Sequence, residues 1–231
     1  MDWTLSYDRN VYVFTLKFQF SRSDMSTFAL LATLLVSSLL YLGVEGVCRT
    51  SALNEMEQLV LDKHNELRAR HQDTPPLCYA EITGDDVTFA AQDWADHIAE
   101  TGDSKHTPNP KDFGENLSWS TYPGEDPPDP GPFYLDGTQR WYDEIRDWDF
   151  ELGQSKGLTS HFTQVVWKST TQMNCGFATR TSETPHKAYV VCQYWPKGNW
   201  IKRELYYTEV HPLKGSYVEG RSCCPGRELR L

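Results

Sequence analysis

Apolar residues recur at spacings of three and four between Leu53 and Arg70. Leu53, Met56, Val60, His64 and Leu67 share one face there, with charges opposite. That period predicts an amphipathic helix. A second helix is predicted from Asp86 to Thr101, with Val87, Ala90, Ala91, Trp94 and Ile98 inward and Gly102 as its stop. Five prolines between Pro123 and Pro132 predict an extended loop with no compact element. A third helix is expected at about Gly137 to Trp148, with Trp141, Ile145 and Trp148 on one face. Thr159 or Ser160 is placed to cap a short helix over HFTQVVW. The pattern then changes period. MNCGFATR and KAYVVCQYW are rich in β-formers and flank the turn-forming TSETPH, which predicts a hairpin. With its turn centred between Glu183 and Thr184, Cys175 lies opposite Cys192, a position that suits a cross-strand disulfide. LSWS reads as a further short strand. Helices first and a hairpin late make the class α+β.

The fifteen residues Phe28 to Leu42, FALLATLLVSSLLYL, form an almost uncharged run. A bilayer span needs roughly 20 apolar residues, so the run fits a secretory signal core better. Before it, YVFTLKFQF is an alternating aromatic stretch foreign to a signal, and Met1 and Met25 are both candidate starts. Small residues at Val44 and Gly46 place the expected cleavage after Gly46. Residues 1–46 are therefore read as an N-terminal extension and signal peptide, with a signal anchor as the alternative. The folded domain is expected over 47–213 and a tail over 214–231. Export makes disulfides available, and the pairing of Cys48, Cys78, Cys223 and Cys224 stays open.

Composition narrows the function. Lys and Arg number 22 against 32 Asp and Glu, and a net charge of −10 disfavours a nucleic-acid partner. Aromatic residues make up 13% of the chain, enough to fill a core and line an apolar groove.

His64, alone on an apolar face, is expected as a packed core histidine. HNELR lacks the second His that a zinc-protease helix requires. Glu144 shares a face with Trp141 and Trp148, so it needs a partner if buried, or else lies at the rim and reaches water. His161 falls in the first turn of the short helix, where the dipole disfavours an imidazolium and leaves a neutral ring for a proton or a metal. The sequon Asn116-Leu117-Ser118 abuts a predicted strand, a poor place for a glycan.

HNELR, GENLSW, RWYDEIRDWDF, SHFTQVVWKST and YVVCQYWPKGNW occur in that order and resemble the CAP superfamily of cysteine-rich secretory, antigen 5 and pathogenesis-related 1 proteins. The likeness covers about Leu53 to Leu213. RWYDEIRDWDF, HFTQVVWKST and the aromatic tail ELYYTEVHPLKG look most like the Golgi-associated plant pathogenesis-related subgroup. The resemblance implies an α-β-α sandwich with a small antiparallel sheet between helical layers. It also implies a cavity lined by His106, Glu115, Glu144 and His161, matched motif by motif. Two departures stand out. SKHTPNP has no Cys beside His106, and no cysteine-rich module follows the domain, which disfavours ion-channel blocking.

Two imidazoles and two carboxylates suit zinc or another divalent transition metal. The same four also suit a hydrogen-bonded polar cluster that fixes loops. No nucleophile paired with a base stands out, and Ser160 is merely the sequence neighbour of His161. The expected function is therefore a secreted module that binds a lipid, a sterol or an extracellular protein, with contact to a membrane surface allowed. The alternative is a metal-dependent hydrolase using the same cavity.

Overall fold

The computed structural model describes residues 2–8, 11–17, 48–80, 91–108, 113–124, 128–200 and 202–215. The apolar run, the expected cleavage site, the start of the second predicted helix, Cys223 and Cys224 lie outside them. Among the described residues, no helix is long and apolar enough to cross a membrane. The chain divides into two compact units, Met1–Glu45 and Gly46–Leu231. In the first, β1 (Asp2–Asp8) and β2 (Val11–Lys17) pair antiparallel, with Asp2 opposite Lys17. β2 takes in the first six residues of the alternating stretch, Tyr12 to Lys17.

The second unit opens with α1 (Glu55–Arg68). Asn54 and Glu57 form a reciprocal capping box, at 2.9 and 2.8 Å, that satisfies two N–H groups at the helix start. Then come β3 (Cys78–Tyr79), α2 (Ala91–Thr101), β4 (Gly114–Tyr122) and α3 (Gly131–Asp143). A 3₁₀ turn (Glu144–Asp147) leads to a two-residue ladder of β5 (Trp148–Asp149) and β6 (Gln154–Ser155). Last are α4 (Ser160–Val165), β7 (Gln172–Arg180), β8 (His186–Trp195) and α5 (Arg203–Glu209).

The prolines do not exclude a helix. α3 begins at Gly131, six residues before the expected start, with Pro132 in its first turn. The N–H that proline lacks has no partner in a first turn anyway. The helix also ends earlier than expected, at Asp143, and the chain tightens into the 3₁₀ turn that carries Glu144.

The main sheet has the order β3-β7-β8-β4, parallel between β3 and β7 and antiparallel elsewhere. Its alternation sorts the core into two layers. Tyr189 and Val191 of β8 and Ala178 of β7 pack with Ala91, Ala95, Ile98 and Ala99 of α2. Val190, Cys192, Tyr194, Met173 and Cys175 face the other way, into a larger core with Val60 and Leu67 of α1, Tyr134 and Trp141 of α3, and Phe162 of α4. The sheet is therefore sandwiched between helical layers. α2 lies so close that a Cβ on Gly176 of β7 would stand 2.4 Å from the Ala91 carbonyl oxygen, so only glycine fits there.

The hairpin register places Cys175 opposite Cys192, and the two are joined, Cα atoms 4.2 Å apart. Cys48 bonds Cys78, tying the start of the domain to β3. Side chains close both sheet edges. Beyond short β3, the Tyr79 hydroxyl bonds both the N–H and the carbonyl of Cys175, each at 3.1 Å. The Gln92 amide does the same for Phe177, at 3.1 and 2.9 Å. On β4, Trp141 Nε1 donates to the Leu117 carbonyl at 3.0 Å, and Arg140 reaches that of Trp119.

His64 is fully buried in the larger core. Its Nδ1–H donates to the Val60 carbonyl at 2.8 Å, so Nε2 accepts from the Tyr194 hydroxyl at 2.9 Å. His71, equally inaccessible, repeats the arrangement with the His211 carbonyl and the Tyr142 hydroxyl. Burial lowers both imidazoles to a pKa of about 4. Buried Arg68 donates to the carbonyls of Pro75, Val165, Trp167 and Thr170 at 2.8–3.0 Å. Four carbonyl dipoles satisfy this cation in place of a carboxylate.

Candidate functional site

The 3₁₀ turn after α3 delivers Glu144 to the start of α4. One carboxylate oxygen accepts the backbone N–H groups of His161 and Phe162 at 3.1 and 3.2 Å, and the other meets His161 Nδ1 at 2.6 Å. Its side chain is 14% exposed, so Glu144 is a partnered carboxylate inside the wall rather than a group at the rim. It takes over the capping role expected of Thr159 or Ser160; Thr159 holds the N-cap position, but its side chain makes no cap hydrogen bond. A carboxylate at this position also offsets the positive helix end, which a reading from the dipole alone did not include. The Trp141 ring lies nearly parallel to His161, with centroids 6.4 Å apart.

Glu115 enters from β4, with its side chain 2% exposed. It accepts from His106 Nδ1 at 2.9 Å, from the N–H and hydroxyl of Thr107 at 3.0 and 2.6 Å, and from Gln193 Nε2 of β8 at 3.0 Å. Burial on its own would raise this carboxyl's pKa. The hydrogen bonds from His106, Gln193 and Thr107 outweigh it and hold the pKa lowered. His106 itself is largely exposed.

The four predicted residues thus form two His–Glu pairs rather than one cluster. Among the described residues, no three His, Cys, Asp or Glu side chains group to hold a metal. Glu115 stands opposite Gln193 and Asn116 opposite Cys192 in the β4–β8 register. Asn116 donates to the His161 carbonyl at 3.2 Å and to the Tyr194 hydroxyl at 3.4 Å, so it joins the second pair to the core. Being 1% exposed, it offers no acceptor for a glycan in the folded chain. Thr107 and Gln193 are not singled out by the sequence, and Asn116 stands out there only as a sequon. The β4–β8 register that brings Gln193 to Glu115 is the signal that locates it.

Within each pair the imidazole donates from Nδ1 to a carboxylate. Neither Nε2 makes a hydrogen bond among the described residues. The Ser160 hydroxyl makes none to His161.

The profile of the cysteine-rich secretory protein (CAP) family matches residues 61–194. The chain belongs to the CAP family. It is 32% identical over 168 residues to the human Golgi-associated plant pathogenesis-related protein 1, covering 71% of this chain and 97% of that one. It is 32% identical over 176 residues to human cysteine-rich secretory protein 2, covering 74% of this chain and 65% of that one. This CAP chain therefore spans about two thirds of that second relative. A solved structure titled as NaASP2 with Zn2+ matches over 69% of this chain and 90% of its own, with a TM-score of 0.50 at 22% identity, a likeness of fold.

Proposed function

We propose that this CAP protein acts outside the cell as a binding module, taking a divalent transition metal through His106 and His161 and a lipid, sterol or protein partner. The observation that carries the metal reading is that both Nδ1 atoms are held by carboxylates, which leaves both Nε2 lone pairs free for an ion. Glu115 and Glu144 are spent on backbone and side-chain donors, so they orient the ligands rather than supply them. Two protein nitrogens would hold an ion less tightly than the four ligands of a closed structural site. Zinc would supply a Lewis acid there. No hydroxyl or thiol is paired with either imidazole among the described residues, which disfavours covalent catalysis by a serine or cysteine. Export is supported by two disulfides, by the signal-like apolar run, and by relatives named as secretory. One solved relative is titled with Zn2+.

Calorimetric titration with zinc tests the metal reading. The wild type is expected to take up one ion, and the His106→Ala, His161→Ala double variant none. Equal uptake by both would place the metal elsewhere. Mass spectrometry of an extract of the natively secreted protein tests the partner, and an extract without lipid or sterol favours a protein.

A further inference from the structure

Asn116 is conspicuous in the sequence as a sequon, yet in the fold it is 1% exposed and out of reach of a glycan. Its place on β4 gives it another part. It directly follows Glu115, and the two neighbours serve the two histidines. Glu115 accepts from His106 Nδ1 at 2.9 Å, while the Asn116 amide donates to the His161 carbonyl at 3.2 Å. Successive residues of a strand stand only ~3.3 Å apart along it, so one dipeptide ties both histidines to a common rigid element.

The two are not held alike. His161 is gripped at three points. Glu144 takes its backbone N–H and its Nδ1, and Asn116 takes its carbonyl. His106 is held through Nδ1, and its side chain is 58% exposed against 23% for His161. The Asn116 amide also reaches the Tyr194 hydroxyl at 3.4 Å, and that hydroxyl donates to fully buried His64. The first turn of α4 is thereby moored to the sheet and, through it, to the larger core. A ligand locked before the ion arrives spares the entropy of ordering it on binding.

We propose that Asn116 is a positioning residue for metal uptake, holding the His161 backbone in place while Glu144 holds the ring. The inference rests on metal uptake by His106 and His161, and adds the residue on which the preorganisation of His161 depends. Loss of a buried asparagine also lowers stability, so stability alone does not decide. Tyr194→Phe supplies the comparison. It removes the other partner of the same amide and strips His64 of its donor, but leaves the bond to His161.

The test titrates the intact protein with zinc by calorimetry, and with cobalt(II), whose visible absorption reports the geometry of its ligands. Asn116→Ala is expected to weaken zinc roughly tenfold, the low end of the loss when the partner behind a metal ligand is removed. It should also change the cobalt(II) spectrum. Tyr194→Phe, although less stable in urea, is expected to keep the wild-type affinity and spectrum. Asn116→Ser, whose shorter side chain cannot span to His161, replaces the alanine variant if that one does not fold. Wild-type affinity and spectrum in the Asn116 variant overturn the proposal, as does an equal loss in Tyr194→Phe. Both outcomes leave zinc uptake by the wild type standing. A wild type that takes up no zinc, or a His106→Ala, His161→Ala variant that takes up as much, overturns the metal reading and this inference with it.

Discussion

The larger core and the His–Glu site each hold two histidines, and the pairs differ in what their rings touch. In the core, His64 and His71 donate to carbonyls and accept from tyrosine hydroxyls, so both ring nitrogens are used. At the site, His106 and His161 each give one nitrogen to a carboxylate and leave the other free. A saturated ring is fixed at both nitrogens, whereas a half-used ring is fixed at only one. The partners, not the residue type, decide which.

The sharpest way to break this contrast is at Arg68, a buried cation of the same core. Arg68→Met would strand four carbonyls that now share one guanidinium, and should cost about 3–5 kcal/mol of stability in urea unfolding. A loss below about 1 kcal/mol would mean that water replaces the cation.

Acid comes next. The native core histidines take protons only near a pKa of about 4, while in the unfolded chain they do so near 6.5. Between those values the unfolded state binds more protons, so stability is full above 6.5 and falls as pH drops toward 4. Each imidazole should remove about 3 kcal/mol by the end of that window. His71→Phe should roughly halve the slope of the urea midpoint against pH.

The smallest effect lies at the site. Glu144→Ala frees the N–H groups of His161 and Phe162 and should cost about 1–2 kcal/mol, as loss of a helix cap does. Zinc affinity should fall with it, because His161 loses the group that fixes its tautomer. Unchanged zinc affinity in this variant would separate the carboxylate from the metal role.

Much of this contrast was legible in the sequence, but unevenly. The helix around His64 followed from spacing alone, and the Cys175–Cys192 pairing followed from one turn centre, because a hairpin's register is fixed by its turn. β3 was not legible, since two residues carry no period. The start of α3 was hidden by prolines that a first helical turn tolerates. α5 lay within an aromatic tail whose Tyr206 packs against Trp148 and Trp167, contacts that no local pattern shows. The four site residues were found only through family motifs. The partners of each pair depend on the β4–β8 register and on a 3₁₀ turn, both set by tertiary packing.

The side chains along the sheet margins carry a consequence for life in a crowded fluid. An exposed strand margin is a template onto which an identical chain can add, and growth of that kind has no natural end. Here a phenol and an amide occupy one margin, and an indole and a guanidinium the other. The sheet is a terminated polymer of four strands. Addition of a further strand at either margin would have to displace these side chains first.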